Sequence, residues 1–351
     1  MLAVNKANPV KKLSAVQVKH IYDQEITNWS QVGGNNDTII LFTINALETY
    51  FTSEQLGDEL QFVPERVSQL VDSIPNIVAF LLESNVKADF KGEVLAFDNI
   101  SMKEFFWGEE WYPTAQPAAV FGTLPIILGT IWVSFFAIIL ALPLGLAAAI
   151  YMAEIANEKI RRVLKPLIEL LAGIPSVVYG FFGLIVIVPE IQKLFDLPVG
   201  ETALAGSVVL GIMALPTIIT VSEDAIRTTP RAMKEASLAL GATHWQTIVR
   251  VIIPYSISGI TAGTILGVGR AIGETMAVLM VTGNAAVIPH SILEPVRTIP
   301  ATIAAELGEA PQGGLHYQSL FMLGCILFVI TLVINLMVEY ISSKGKLNKH
   351  S

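Results

Sequence analysis

Five long apolar runs leave this chain few ways to fold. They begin near residue 115 and cover approximately 121–151, 168–189, 202–222, 255–282 and 317–341. Each is long enough for a helix to cross a hydrocarbon layer, which takes about 20 residues. Backbone polar groups in hydrocarbon must bond within the protein, so such runs become helices that bundle together. Pro143, Pro175 and Pro216 fall inside them; membrane helices accept proline where neighbours satisfy the freed groups. The composition agrees, with 53% hydrophobic and 15% charged residues and a mean hydropathy of +0.60. An ordinary soluble domain is more charged and less apolar. The net charge of −8 excludes the basic surface that a nucleic-acid binder needs. The lone cysteine, Cys325, allows no internal disulfide and no thiolate metal cage.

Before residue 115 the chain reads differently, with polar turns such as Gly33-Gly34-Asn35-Asn36 between short mixed runs. The expected organisation is an extracytoplasmic region over 1–100, an amphipathic entry segment over 101–120 and a transmembrane domain over 121–345. Basic residues orient it. Lys159, Arg161, Arg162 and Lys165 follow the first run; Arg227, Arg231, Lys234 and Arg250 follow the third; Lys344, Lys346 and Lys349 follow the last. The alternate loops hold Lys193 and Arg297. The positive-inside rule places the first set, and the C-terminus, in the cytoplasm. Five crossings then put the N-terminal region outside. No signal peptide opens the sequence, so a first membrane helix upstream of this chain is expected. The rival expectation embeds part of 67–85 in the membrane.

The polar stretch 223–254 is too elaborate for a plain connector. From Pro230 it reads Arg-Ala-Met-Lys-Glu235-Ala236-Ser237-Leu-Ala-Leu-Gly241, and it closes on Val251-Ile-Ile-Pro254. Pro230 suits a first helical turn and Gly241 the residue past a helix end, with a second short helix from Thr243. Such a hairpin can lie along the membrane and enter a cleft on a cytoplasmic partner; periodicity alone favours an ordinary interfacial connector.

In the fourth run Gly259, Gly263 and Gly267 recur every four residues, a small-residue face that admits another helix closely. At 100° per residue Arg270 and Glu274 share that face and, four apart, are expected to reach one another. A charge at mid-membrane costs about 2.5–3.5 kcal/mol on insertion scales, and the forked donors of arginine fit a tetrahedral oxyanion. Two readings follow: an anion route at Arg270 gated or oriented by Glu274, or a static interhelical ion pair. The second run opens Glu169-Leu-Leu-Ala-Gly173-Ile-Pro175-Ser176-Val-Val-Tyr179-Gly180, which suits a bent helix with free carbonyls. Enzyme signatures are lacking. No P-loop is present, so no ATP site or other cofactor is expected. His20, His244, His290, His316 and His350 lack metal-ligand spacing.

Residues from about 100 to 345 resemble the PstC-type permease of the bacterial phosphate-specific (Pst) ABC transporter. The resemblance rests on Phe106-Trp-Gly-Glu-Glu-Trp111-Tyr-Pro113, Phe121-Gly-Thr-Leu-Pro125, Leu171-Ala-Gly-Ile-Pro-Ser-Val-Val-Tyr-Gly180, the Glu235 loop, and Gly269-Arg-Ala-Ile-Gly-Glu-Thr-Met-Ala277. It implies a type I ABC importer permease fold and the import of inorganic phosphate. It implies four kinds of partner: a homologous PstA-like permease, PstB-like ATPase subunits, a PstS-like extracytoplasmic binding protein and phosphate itself. It also makes Glu235, Ala236, Ser237, Gly241 and Pro254 the ATPase-coupling residues and Arg270 and Glu274 part of the substrate pathway. A permease for another oxyanion such as molybdate or sulfate, or a membrane scaffold that does not transport, stays open. At the N-terminus, Asn8 to Tyr22 and Ile26-Thr-Asn-Trp-Ser-Gln-Val-Gly-Gly34 resemble the second lobe of a PstS-type phosphate-binding protein. That family's Gly-Ser-Gly-Thr phosphate turn corresponds to Ile44-Asn-Ala-Leu-Glu48-Thr. An α/β remnant that no longer binds phosphate is expected there.

Overall fold

The structure is a computed structural model and describes residues 1–57, 60–97 and 101–347. Two compact units divide it, Met1–Gly122 and Thr123–Ser351.

The first unit is built on a four-stranded sheet in the order β2-β3-β1-β4. The strands are β1 (Leu2–Val4), β2 (Ile40–Thr43), β3 (Ile77–Phe80) and β4 (Glu93–Val94). β2 runs parallel to β3, and β1 runs antiparallel to both β3 and β4. Alternation along the strands supplies two faces. Leu2, Val4 and Val78 join Val18 and Ile21 of α1 (Ala15–Tyr22) and Trp29 on one side. Ala3, Ile77 and Ala79 join Val67 and Val71 of α2 (Val63–Ser73) on the other. The segment 67–85 is thus a helix and a central strand of this sheet, not a membrane insertion. A short helix over Met102–Trp107 and a two-stranded pairing of Trp111–Tyr112 with Val120–Phe121 complete the unit.

In the second unit, five helices among the described residues are long and apolar enough to cross a membrane. They are α3 (Leu124–Ile155), α5 (Ser176–Phe195), α6 (Ala203–Arg227), α8 (His244–Gly273) and the Leu315–Met337 part of α11 (Leu315–Leu347). Between them lie α4 (Glu158–Gly173), α7 (Arg231–Ala239), α9 (Met276–Val281) and α10 (Ile299–Glu306). α6 is the central post, with fifteen buried residues along its length. It packs on α3 and, through glycines, on α8.

Several expected boundaries shift; the fourth crossing, for one, begins at His244 rather than 255. The second crossing begins at Ser176 rather than 168, because Glu158–Gly173 is a separate amphipathic helix with no buried residue. Proline biases the preceding residue away from helix, and Ile174, before Pro175, is extended (φ −70°, ψ 129°). The fourth crossing ends at Gly273 rather than 282. Prolines also account for two π-turns, Gly183–Ile187 before Pro189 and Ile248–Ile252 before Pro254. A proline has no N–H for the carbonyl four residues back, and the helix widens to reset its register.

Candidate functional site: the polar hairpin and the broken fourth span

The hairpin at one end of the bundle is rigid at its base and apolar at its tip. α7 forms from good helix formers directly after Pro230. It stops at a Schellman turn: Gly241 (φ +85°) donates to Leu238 O and Ala242 donates to Ser237 O. The sequence placed a second helix from Thr243; Thr243 is its N-cap, bonded reciprocally with Gln246. Across the hairpin the Ser237 and Thr247 hydroxyls bond at 2.9 Å. At its base the buried Thr229 and Ser256 hydroxyls bond at 3.1 Å, and Lys234 pairs with Glu154 at the end of α3. Glu235 and Ala236 are exposed. Leu240 is 89% exposed at the tip, with Trp245 at 61%. The tip thus exposes two large apolar side chains on an otherwise polar loop. Pro254 follows the π-turn that joins the hairpin to α8.

From that joint the glycine face of α8 lies directly on α6. A Cβ on Gly259 would sit 2.2 Å from Ala225 Cβ. On Gly263 it would meet Val221 and Ser222 at 3.1 and 3.2 Å, and on Gly267 Ile218 at 2.8 Å. All three glycines therefore set one seam. Farther along, Gly269 and Gly273 face open space, with nothing within 4 Å of a built Cβ.

The seam leads to a break. α8 ends at Gly273, and Glu274 is extended (φ −71°, ψ 133°). This corrects the expected Arg270–Glu274 pair: their spacing brings them together only on a continuous helix, and among the described residues no ion pair joins them. Glu274 Oε1 instead accepts from its neighbour's backbone, Thr275 N, at 3.1 Å. Arg270 is left half-buried, with no ion-pair partner among the described residues. Tyr179 of α5 lies within its electrostatic reach, and its hydroxyl donates to Leu171 O at 2.8 Å. On the same helix, a Cβ on Gly180 would come within 2.9 Å of Ala277 in α9. The Gly173–Gly180 and Gly269–Ala277 stretches, about 90 residues apart in sequence, thus meet at one place. Interrupted helix at membrane depth persists only where it is covered by protein or lines a cavity.

Two ionic clusters escaped the sequence reading. Glu223, taken there only as the start of a loop, is a buried carboxylate among Arg161, Lys165 and Arg227. Glu306 is held by Arg297 at 2.7 Å and by His316 at 2.9 Å. A carboxylate at the end of an apolar run, with basic residues at the same end of another run, was the available signal for both.

This fold and hairpin define a membrane-embedded transport subunit. Residues 141–346 match the family of binding-protein-dependent transport system inner membrane components. The chain belongs to that family and is a multi-pass inner-membrane protein. Residues 1–61 match the periplasmic-binding-protein (PBP) superfamily domain. The chain is 41% identical over 71% of its length to the "Probable ABC transporter permease protein YqgH" of Bacillus subtilis, covering 80% of that protein. It is 40% identical to the phosphate transport system permease protein PstC of Mesorhizobium japonicum, covering 67% of this chain and 77% of the relative. To the PstC of Pasteurella multocida it is 38% identical, covering 66% and 76%.

Proposed function

We propose that this chain forms half of the translocation pathway of an ATP-driven importer of inorganic phosphate. The observation that carries the reading is the half-buried Arg270, without an ion-pair partner among the described residues, at the break of α8 where α5, α8 and α9 converge. An unpaired guanidinium at membrane depth is costly and calls for an anionic counterpart. Phosphate, the substrate named for the relatives, fits it. Glu274 is close enough in sequence to orient or gate that cation, and the break frees its backbone to move.

The partners follow from the surfaces. The tip formed by Leu240 and Trp245, with Glu235, Ala236 and Ser237 behind it, enters a cleft on a cytoplasmic ATPase subunit. Gly241 and Pro254 fix the shape that does so. A second, homologous permease covers the bare Gly269–Gly273 side, and an extracytoplasmic binding protein delivers phosphate. The C-terminus is then cytoplasmic and the first unit outside. Within that unit the stretch at the phosphate turn of the related lobe is a 3-10 turn and one short helix carrying exposed Glu48. A carboxylate there repels an anion, so the unit docks or braces a partner and does not bind phosphate.

Uptake of labelled phosphate into vesicles holding the whole transporter tests the reading. Competition by unlabelled phosphate, with molybdate and sulfate without effect, is expected. Competition by molybdate or sulfate alone would reassign the substrate. ATPase binding without any flux would leave a scaffold.

A further inference from the structure

Glu223 sits in the last turns of α6 with a side chain only 1% exposed. Three cations surround its carboxylate. Arg161 Nε donates to Oε1 at 2.9 Å, Arg227 approaches Oε1 at 3.6 Å, and Lys165 stands 3.7 Å from Oε2. Oε2 itself accepts no hydrogen bond. Lys165 is shared, since its ammonium is also 3.4 Å from Asp224 Oδ1. A buried carboxylate with one oxygen satisfied and one open is out of balance. A small displacement of Lys165 from Asp224 toward Oε2 would satisfy it and would give the cluster a second, nearby arrangement.

Its place in the fold gives that a consequence. Arg161 and Lys165 belong to α4, which buries none of its own residues. Glu223 and Arg227 belong to α6, eight and four residues before the start of the hairpin at Arg231. On the neighbouring turns Val221, Ser222 and Ala225 form the seam against Gly259 and Gly263. Thr229–Ser256 and Lys234–Glu154 tie the hairpin base to α8 and α3. With no buried residue of its own, α4 meets the end of α6 through the ion pairs of this cluster.

We propose that Glu223 is a positioning residue whose carboxylate, clasped by Arg161, Lys165 and Arg227, is an ionic latch that makes α4 and α6 move with the hairpin. Lys165 exchanges between Asp224 and the open Oε2 as the hairpin is displaced. This rests on the reading of the hairpin as the ATPase contact. The latch acts downstream of that contact: without it the motor still binds and hydrolyses ATP, and the stroke is lost before the substrate pathway.

The test is the ratio of phosphate imported to ATP hydrolysed by the whole transporter in proteoliposomes. Glu223→Gln and the double variant Arg161→Gln/Lys165→Gln are expected to lower that ratio by roughly 5-fold or more, the range of ordinary coupling energies, with ATPase activity kept. The charge-conserving double variant Arg161→Lys/Lys165→Arg is expected to keep the wild-type ratio. The cations are partly exposed, so the double variants report even where Glu223→Gln fails to assemble. An unchanged ratio in the Gln double variant would overturn the latch, as would equal loss in the Gln and charge-conserving pairs. A fall of uptake and hydrolysis together, at constant ratio, would also overturn it. Leu240→Asp separates the two readings: loss of ATPase binding in that variant upholds the hairpin contact whatever becomes of the latch, and retained binding would overturn the hairpin contact itself.

Discussion

Replacing Gly259 by alanine tests the seam between α6 and α8 with one methyl group. The added Cβ would lie 2.2 Å from Ala225 Cβ, whereas ordinary contact begins at 3.4 Å. The helices must therefore part by about 1.2 Å there. Overpacking of this kind costs about 1–3 kcal/mol, and alanine's better helix propensity recovers no more than about 1 kcal/mol of it. Neither neighbour can yield cheaply, because Ala225 ends at its Cβ and lies on the most buried helix of the unit. Gly269→Ala is the internal control. It lies in the same helix with nothing within 4 Å, so it gains the propensity, about 0.5–1 kcal/mol, without the clash. Thermal unfolding of the detergent-solubilised chain, followed by circular dichroism, should show Gly259→Ala below wild type and Gly269→Ala at or above it. Equal midpoints for the two variants would refute a seam set by that glycine.

Other expectations follow from single contacts. Arg270→Gln should abolish phosphate uptake while leaving assembly and ATPase binding intact; normal uptake would remove Arg270 from the pathway. Gly241→Val forces a β-branched residue to φ +85° and should unfold the Schellman turn at a cost of at least about 1–2 kcal/mol, read as lost ATPase co-purification. In the first unit, Trp29 is 2% exposed with its Nε1 donating to Asn76 O, and Trp29→Ala should cost about 3–5 kcal/mol in thermal unfolding. The Tyr22 hydroxyl is buried without a hydrogen-bond partner among the described residues, and burial pushes that phenol above its usual range. Tyr22→Phe should therefore leave stability unchanged or raise it by about 1–3 kcal/mol, and a clear loss would reveal a partner for the hydroxyl.

The crossings were legible because hydrocarbon permits few alternatives to a long apolar helix, and five runs became five helices. Their ends were less so. Composition carried the second run back to 168, while the proline at 175 divides an interfacial helix from the crossing proper. The glycine seam could be read directly, since a four-residue repeat of bare Cα positions has one use in a packed helix pair. The same periodicity misled at Arg270 and Glu274, because it assumes a helix that continues, and the chain turns extended at Glu274. Glu223 carried only the weak signal of a carboxylate at the end of an apolar run, which does not name its partners. Its partner Arg161 is 62 residues away, and only the fold brings α4 alongside the end of α6. In the first unit the alternation Leu2-Ala3-Val4 assigns two faces, but the strand order, which places β1 between β3 and β4, depends on pairings remote in sequence.

In the proposed mechanism the hairpin lies in the cytoplasm and its displacement reaches the break at Gly273. With Cys325 replaced by serine, Leu240→Cys and Gly273→Cys can each be labelled by a membrane-impermeant thiol reagent in vesicles of known sidedness. The account predicts that position 240 labels only from the cytoplasmic face and is shielded by bound ATPase, while labelling at 273 changes with ATP. Labelling of position 240 from the outer face, or labelling at 273 indifferent to ATP, would contradict it.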